Sequence, residues 1–345
     1  MEKVLITGAY GLLGSYTVRE MKENGYYVRA FGRNPEKLQA LKDDHVELFV
    51  GDFCNPDDID KAAEGMDYVI HVGAKLGWGK REDFFKTNVE GTRNVIEACA
   101  RHHVKRLVFC SAPSLDPLKN NFHITEKDYN ANNKLTYYIE SKIAAEKLVR
   151  EQTKVPFSII RPRGVCGIGD TRMIPVLINA NKTIGIPLFA KGKIVVELCC
   201  AANAALALRL CTEKDEALGQ AYNITNDEPT LITELAEEMF TTLGVPSKFR
   251  RLPFYPMYAV AAVLEDAYKA LKIYDKAPMV TRSDICMLGR NQIFDISIAK
   301  KELGYVPKES ISQMIQAYAA DYKKSSRAVE NQKVETRSDL RRNRL

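Results

Sequence analysis

Short apolar runs alternate with amphipathic stretches along the first half of the chain. Runs of strand length lie at 4–6, 27–31, 46–50, 67–72, 106–110 and 157–160. Stretches with helical periodicity lie between them, among them 89–100 and 137–149. Regular alternation of strands and helices is typical of a doubly wound parallel sheet, because each helix carries the chain back to begin the next parallel strand. We therefore predict an α/β fold.

A glycine-rich segment joins the first predicted strand to the first predicted helix. It runs from Thr7 to Gly14, with glycines at positions 8, 11 and 14. The first permits a tight turn, the second lets backbone N–H groups approach a pyrophosphate, and the third lets helix and strand pack closely. The first half of this motif is one residue longer than in the common dinucleotide fingerprint, and an ordinary glycine-rich loop is the alternative. Its place between strand and helix favours a dinucleotide-binding sheet of the Rossmann type.

The pattern becomes irregular after Pro162. The stretches 194–198 and 221–225 again have strand character, and we expect both to return to the sheet. We predict a dinucleotide-binding domain over 1–166 and a smaller, interleaved C-terminal substrate lobe over 167–322, with 167–192 and 228–290 lying over the cofactor. Residues 323–345 form a polar basic tail that we expect to be disordered, because it lacks apolar periodicity.

Composition narrows the class of protein. The 345 residues are 46% hydrophobic, which is ample for a core. The tail holds eight Lys or Arg against three Asp or Glu, so it carries +5 of the net charge of +6. Because the rest is nearly neutral, we expect no nucleic-acid partner. The longest apolar stretches, near 198–208 and 254–264, are too short to span a bilayer, so we expect no membrane span.

The cysteines indicate a reducing compartment. None belongs to a C-x-x-C pair, and most lie in apolar runs, at positions 54, 99, 110, 166, 199, 200, 211 and 286. This placement suits buried reduced thiols better than disulfides or a zinc site. We therefore expect a cytoplasmic protein without a bound metal.

The ends of the second and third predicted strands bear on the choice of dinucleotide. NAD-selective sites commonly present an acid after the second strand, but here Gly32 and Arg33 stand there. With no carboxylate to repel a 2′-phosphate and Arg33 beside it to form an ion pair, the site favours NADP over NAD. A solvated arginine in a turn is the alternative. Asp52, next to Phe53 at the end of the third strand, is placed to accept a hydrogen bond from the adenine amine.

The candidate chemistry lies in Tyr138 and Lys142, which are four residues apart in a predicted helix. This spacing puts the phenol and the ammonium on one face. A neighbouring positive charge lowers the pKa of a phenol, so we predict that Tyr138 exchanges a proton with a substrate oxygen. Tyr137 is out of register with Lys142. A surface Tyr–Lys pair is the alternative when this motif stands alone.

These motifs together resemble those of the extended short-chain dehydrogenases/reductases. This family includes nucleotide-sugar epimerases and dehydratases, 3β-hydroxysteroid dehydrogenases and dihydroflavonol reductases. The resemblance covers about residues 1–318 and rests on Thr7–Gly14, Gly51-Asp52, Val69–His71, Thr87–Thr92, Tyr138–Lys142, Arg161-Pro162, Gly167, Gly169-Asp170, and Asp295 with Leu303–Pro307. It is strongest for the branch of 3β-hydroxysteroid dehydrogenases and dihydroflavonol reductases.

The resemblance implies several roles. Lys142 also binds the nicotinamide ribose, Asn88 lies at a kinked or packed centre behind the site, and helices 89–100 and 137–149 form the interface of a homodimer. The residues then expected at the cofactor are Thr7, Gly8, Tyr10, Gly11, Leu12, Gly14, Arg33, Asp52, Phe53, Lys142 and Pro162.

The loop after the fifth strand departs from the family pattern. The resemblance places a catalytic Ser or Thr at Ala112, and the two carboxylates of the dehydratases at Pro113 and Ser114. Dehydration is therefore disfavoured. Because residues two apart on an extended chain face the same side, we predict that Ser114 donates the missing hydrogen bond to the substrate oxygen. Ser111, which should face away, is the second candidate. A turn cap at Ser114, with water or a backbone N–H filling the gap, is the alternative.

The stretch 252–279 guides the choice of substrate. It is largely apolar, with Phe254, Tyr255, Met257, Tyr258, Val260, Val263 and Leu264. These residues are expected to line an apolar pocket, as in 3β-hydroxysteroid dehydrogenases and ketone reductases; the interior of the lobe is the alternative.

We predict an NADP(H)-dependent oxidoreductase that interconverts a hydroxyl and a ketone or aldehyde on a steroid-like or long-chain small molecule. A nucleotide-sugar epimerase is an alternative that Ala112 and the apolar lobe disfavour. A non-catalytic NADP-binding regulator is another, which Tyr138 and Lys142 disfavour.

Overall fold

A seven-stranded parallel sheet forms the centre of the computed structural model, which describes residues 1–325. Its strands, in chain order, are Lys3–Thr7, Tyr27–Gly32, Val46–Val50, Tyr68–His71, Arg106–Cys110, Phe157–Pro162 and Ala221–Ile224. If the strands are numbered in that order, their order across the sheet is 7-6-5-4-1-2-3, and all neighbouring pairs are parallel. The order reverses between the first and fourth strands, where open α/β sheets bind their ligands. The predicted fold is confirmed.

Helices cover both faces of the sheet. Side chains alternate between the two faces along each strand, so apolar side chains on both faces pack against helices. In the first strand, Val4 and Ile6 are buried in one apolar cluster and Leu5 in another. The first cluster includes side chains of helices Leu12–Glu23 and Ala201–Glu213. The other includes side chains of helices Pro56–Ala63, Gly91–Arg101 and Tyr137–Glu151.

Short elements complete the first half and the connections. Two five-residue helices lie at Pro35–Gln39 and Arg81–Phe85. Single turns of 3-10 helix lie at Glu126–Asp128, Ala190–Gly192 and Asp215–Ala217, and π-helical turns at Lys86–Glu90 and Ala299–Leu303.

The C-terminal lobe has a separate apolar core beyond the carboxyl ends of the strands. Its helices are Met173–Lys182, Ile232–Leu243, Phe254–Ala270, Arg282–Gly289 and 311–325. Short two-stranded pairs join Ile186–Leu188 to Phe249–Arg251, Val195–Val196 to Thr230–Leu231, Cys199–Cys200 to Val165–Cys166, and Gln292–Phe294 to Asn121–Ile124.

The expectation that 194–198 returns to the main sheet is wrong. Val195–Val196 pairs antiparallel with Thr230–Leu231, away from that sheet. Ile194 and Val196 are buried in the core of the lobe, and Ala221–Ile224 occupies the edge beside the sixth strand. The apolar character of 194–198 therefore reflects burial in the lobe.

The end of the chain lies partly beyond the described residues. Residues 323–325 continue the last helix, unlike the predicted tail, and the rest of that prediction falls on 326–345, outside the described range. Among residues 1–325, no helix combines the length and the apolar character needed to cross a membrane.

Candidate active site

A cleft of about 1370 Å³ opens at the carboxyl ends of the strands. One wall is formed by the glycine turn and the ends of the second and third strands, and the other by residues of the lobe. Pockets that hold one small ligand commonly measure about 300–1,000 Å³. The cleft is therefore large enough for a dinucleotide with a second molecule beside it.

The glycine turn exposes backbone N–H groups at the start of helix Leu12–Glu23. Gly8 has a φ of +69°, and a Cβ there would lie 2.7 Å from the Cα of Gly73. A Cβ on Gly14 would lie 2.1 Å from the carbonyl oxygen of Gly8, so only glycine lets this helix pack on the turn. Gly11 precedes the helix and provides no side-chain cap. Uncapped N–H groups at a helix start favour a phosphate, so the turn fits a dinucleotide.

Tyr10 explains why the second strand ends without an acid. Its ring lies so close to Gly32 that a Cβ there would be 2.5 Å from Tyr10 Cε1. The expected position of the acid therefore has no room for a side chain. Tyr10, Leu12 and Gly32 all lie in the cleft wall.

Thr7 was expected at the cofactor, but it does not belong to the cleft wall. Its Oγ1 lies 2.6 Å from Nδ1 of His71 and accepts a hydrogen bond from the Gly73 amide. His71 Nε2 lies 3.1 Å from the Thr92 hydroxyl, which itself donates to the Asn88 carbonyl. A neutral imidazole with the proton on Nε2 satisfies all of these bonds, and burial lowers the pKa of His71 to about 3. Thr7 is thus a buried support that joins two strands.

Arg33 and Asp52 face each other after the second and third strands, in the wall of the cleft. In a fold of this type, the adenosine half of a dinucleotide is expected at this end of the cleft. Arg33 NH1 lies 3.8 Å from Asp52 Oδ2, and 66% of the arginine side chain is exposed. The guanidinium is therefore free to turn toward an anion. Asp52 also accepts the Cys54 amide. Phe53 is buried edge-on to His71, with ring centroids 5.2 Å apart.

Asn88 connects three parts of the site. It lies in the π-helical turn Lys86–Glu90 and is almost fully buried. Its side chain accepts the Lys75 amide at 2.6 Å, donates to the Lys75 carbonyl, and donates to Ser141 Oγ at 2.8 Å. It thereby holds the loop after the fourth strand against the helix that carries Tyr138.

Tyr138 and Lys142 both line the cleft, on the first turns of helix Tyr137–Glu151. Thr136 caps this helix by accepting the Ile139 amide. Tyr137 is absent from the cleft wall and packs against Phe84, with ring centroids 6.4 Å apart. The i, i+4 spacing therefore brings the expected pair to one surface.

The electrostatics of this pair differ from the sequence-based prediction. Lys142 Nζ donates to the Cys110 carbonyl at 2.6 Å and lies over the Phe109 ring, and burial lowers its pKa to about 8. Burial raises the pKa of Tyr138 well above its ordinary value, and Arg172 is the cation that lowers it. The prediction that Lys142 lowers the tyrosine pKa is wrong for this arrangement, because Lys142 loses its charge before the phenol titrates.

The loop after the fifth strand places no serine hydroxyl at the predicted position. Ala112 lines the cleft, but Ser114 does not. Ser114 Oγ donates to the Asn130 carbonyl at 2.7 Å and is almost fully buried. The predicted hydrogen bond from Ser114 to the substrate is corrected, because its proton is already engaged in holding the loop. Ser111 does line the cleft and is almost fully buried, and its side chain lies near Tyr129 and Glu146, neither of which belongs to the cleft wall.

The apolar wall of the cleft comes from elements other than the predicted stretch 252–279. None of the apolar residues singled out in that stretch lines the cleft; Phe254, Met257 and Tyr258 pack on the lobe core, while Tyr255, Val260 and Val263 are exposed. The wall instead includes Ala112, Leu115, Leu135, Ile174, Leu177, Val196, Leu198, Ile232, Leu235, Met239, Met287, Leu288, Met314 and Ile315. The missed side chains are spread over several helices, a short strand and loops, so no single sequence pattern marked them as one surface.

Three further residues lie at the ends of the sixth strand and the segment after it. Pro162 lines the cleft, as expected for a cofactor residue. Arg163 and Arg172 also line it, and sequence reasoning missed both. The only sequence signal for a role in the site was proximity to a family motif: Arg163 follows Arg161-Pro162, and Arg172 follows Gly169-Asp170.

Comparisons with known proteins show the family of the chain. The NAD dependent epimerase/dehydratase family matches residues 4–225. The chain belongs to this family. A 2-alkyl-3-oxoalkanoate reductase of Shewanella oneidensis is 32% identical over 325 residues, which cover 89% of this chain and 83% of that protein. A decarboxylating sterol-4-alpha-carboxylate 3-dehydrogenase of Mus musculus is 27% identical, covering 92% of this chain and 91% of that protein.

A solved structure extends the likeness to the whole fold. The crystal structure of gox2253 has a TM-score of 0.76 and 25% identity, covering 95% of this chain and 99% of that one. The resemblance to extended short-chain dehydrogenases/reductases is confirmed, and the family description supports a nicotinamide cofactor.

Proposed function

We propose that this member of the NAD dependent epimerase/dehydratase family is an NADP(H)-dependent oxidoreductase that interconverts a hydroxyl and a ketone or aldehyde on a hydrophobic small molecule. The observation that carries the proposal is that one cleft combines a dinucleotide-type glycine turn with an apolar wall. Tyr138 and Lys142 line the same cleft as the glycine turn and the apolar side chains of the lobe. A carbonyl held there would lie between a proton donor and a bound dinucleotide.

The residues of the chain divide the work. A bound nicotinamide supplies or accepts the hydride. In the reductive direction, the Tyr138 hydroxyl donates its proton to the substrate oxygen, and its raised pKa keeps it protonated until negative charge develops there. Lys142, charged below about pH 8, holds the ribose hydroxyls. The apolar side chains exclude water and hold the rest of the substrate.

The names of the relatives support a hydrophobic substrate. One is a reductase of 2-alkyl-3-oxoalkanoates and another a dehydrogenase of sterol carboxylates. A nucleotide-sugar epimerase is less well supported, because the substrate side of the cleft is largely apolar and Ala112 supplies no hydroxyl.

Removal of the Tyr138 hydroxyl tests the mechanism. We expect Tyr138→Phe to lower kcat by about 10²- to 10⁴-fold, the usual contribution of a general acid, and to leave NADPH affinity nearly intact. Steady-state rates on a panel of steroids, 3-oxo acids, aldehydes and UDP-sugars, with fluorescence titration of NADPH, measure both quantities. Tyr137→Phe is the matched control, since Tyr137 is absent from the cleft wall. A wild-type rate in Tyr138→Phe, or turnover of UDP-sugars alone, contradicts the proposal.

The preference for NADP rests on Arg33, which is exposed and only loosely paired. We expect NADPH to bind more tightly than NADH, and Arg33→Ala to weaken NADPH by about 10- to 100-fold while leaving NADH unchanged, because only the 2′-phosphate meets the guanidinium. Dissociation constants of both cofactors for both proteins measure this. Equal weakening of the two cofactors would rule out Arg33 as the selectivity residue.

We propose further that the protein is a cytoplasmic homodimer joined through helices Gly91–Arg101 and Tyr137–Glu151. These two helices pack side by side on one face of the sheet. The mass in solution, measured by light scattering, tests the dimer.

A further inference from the structure

The charged side chains that line the cleft differ in how they are paired. Besides Asp52, three acids line it: Asp83 lies 3.8 Å from Lys75, and Asp170 and Asp284 cap helices. Asp170 accepts the amides of Arg172, Met173 and Ile174, and Asp284 bonds to Thr281. Of the three lining arginines, Arg33 faces Asp52 at 3.8 Å, whereas Arg163 and Arg172 have no carboxylate within 4.0 Å among residues 1–325. Glu197 is the acid whose charge acts on Arg163, so Arg172 is left as the lining arginine without a carboxylate partner among residues 1–325.

Arg172 lines the same cleft as Tyr138. Its charge acts on the Tyr138 phenol, whereas the charge of Arg163 acts on Glu197. Within the described chain, the Arg172 guanidinium makes no side-chain hydrogen bond. It rests against the loop after the fourth strand, where a Cβ on Gly77 would lie 2.8 Å from Arg172 NH1.

The backbone at Arg172 is held in place. Asp170 binds three consecutive amides at the start of helix Met173–Lys182, at 2.8, 3.1 and 2.9 Å. The N–H groups at the helix start are thereby engaged by Asp170, and Arg172 adds a guanidinium that can bind an anion. A guanidinium presents paired N–H donors that match both oxygens of a carboxylate.

We infer that the substrate carries a carboxylate close to the reacting carbon and that Arg172 binds it. The position of the reacting carbon rests on the proposed function, whereas the binding of a carboxylate by Arg172 does not. An oxo or hydroxy acid with a long apolar chain satisfies all parts of the cleft: Tyr138 at the carbonyl, Arg172 at the carboxylate and the lobe wall at the chain. Arg172 then determines specificity, and Tyr138 performs the proton transfer.

Binding of a simple carboxylate tests the inference without turnover. Decanoate and decanol are titrated calorimetrically into the NADPH complexes of the wild-type protein, Arg172→Gln and Arg172→Lys. We expect decanoate to bind the wild type about 10- to 100-fold more tightly than it binds Arg172→Gln, with Arg172→Lys between them, because a charge-assisted hydrogen bond is lost. Decanol should bind all three proteins equally. Arg250→Gln, which changes an exposed arginine outside the cleft wall, is the matched control.

Turnover separates this inference from the proposed function. A 3-oxo acid, its methyl ester and the matching ketone are compared as substrates of the same proteins. We expect Arg172→Gln to raise KM for the acid by about 10- to 100-fold, as for decanoate binding. KM for the ester and the affinity for NADPH should stay unchanged. Decanoate binding that depends on Arg172, with no carbonyl reduced, supports the carboxylate site and contradicts the oxidoreductase. Reduction of acid and ester with equal kcat/KM, or equal decanoate affinity in Arg172→Gln, overturns the carboxylate site.

Discussion

The loops after the first and fifth strands lie at the same edge of the sheet, but they contribute to the cleft in different ways. The first loop presents backbone N–H groups, and three glycines shape it. The fifth loop was expected to present a serine hydroxyl, yet Ala112 lines the cleft and Ser114 bonds to Asn130, sixteen residues further along the chain. A site made of backbone is set by residue types within a few positions. A site made of side chains depends on which distant group each one meets.

The strongest test of this comparison is Gly14→Ala. The added methyl would lie 2.1 Å from the Gly8 carbonyl oxygen, so the helix must move away from the turn. We expect a loss of about 3 kcal/mol or more in the free energy of unfolding, and loss of cofactor binding. Urea denaturation and NADPH titration measure these effects.

Gly11→Ala is the control for that substitution. Its Cβ would lie 3.2 Å from the same oxygen, and no other neighbour lies within 4 Å. We expect the unfolding midpoint to fall much less than in Gly14→Ala. Equal midpoints for the two variants would mean that close packing at Gly14 is not required.

The second test concerns Lys142, which donates to the last carbonyl of the fifth strand. Burial lowers its pKa to about 8, so the ammonium is charged below that pH and neutral above it. We expect NADPH affinity to be steady below about pH 8 and to fall by up to about tenfold for each pH unit above it. Titrations between pH 6.5 and about pH 9.5 measure the profile.

The same shift has a consequence for stability of the free protein. The folded state loses the Lys142 proton near pH 8, whereas the unfolded chain keeps it to the ordinary value of 10.5. The unfolded state therefore binds more protons between these values, and the contribution of this group to stability rises with pH there. Lys142→Met should remove both pH dependences. A flat affinity profile in the wild type would contradict the role of Lys142.

The smallest expected effect is that of Ser114→Ala. It removes one buried hydrogen bond, so the free energy of unfolding should fall by about 1 kcal/mol, while kcat per folded molecule should stay nearly unchanged. Denaturation and active-site-normalised rates measure the two quantities. Ser111→Ala, in the same loop, is the comparison variant. A rate loss of ~10²-fold or more in Ser114→Ala would restore the role first predicted for this hydroxyl.

Much of the site was predictable because its determinants are local. The turn at Gly8, the helix packing at Gly14 and the common face of Tyr138 and Lys142 follow from backbone geometry and helical periodicity. The parallel direction of the strands follows from their alternation with helices. Asn88 was placed behind the site by family resemblance, and its bonds to Lys75 and Ser141 give that placement a physical reason.

Other predictions failed where long-range contacts decide the outcome. Thr7 turns to His71 on the fourth strand, and the apolar run at 194–198 enters the core of the lobe. The apolar helix Phe254–Ala270 lies outside the cleft wall, which is lined instead by helices Met173–Lys182, Ile232–Leu243 and Arg282–Gly289. Apolar character predicts burial, but it does not say against which surface a residue is buried.

The sequence by itself determined the parallel sheet, the dinucleotide turn and the Tyr138–Lys142 pair, because each depends on periodicity or on backbone freedom over a few residues. Only the tertiary structure decided that Ser114 leaves the cleft and that Arg172 lines the same cleft as Tyr138, without an ion pair among residues 1–325. The reason is that a hydroxyl or a guanidinium takes its role from the groups around it, and distant segments of the chain bring those groups together.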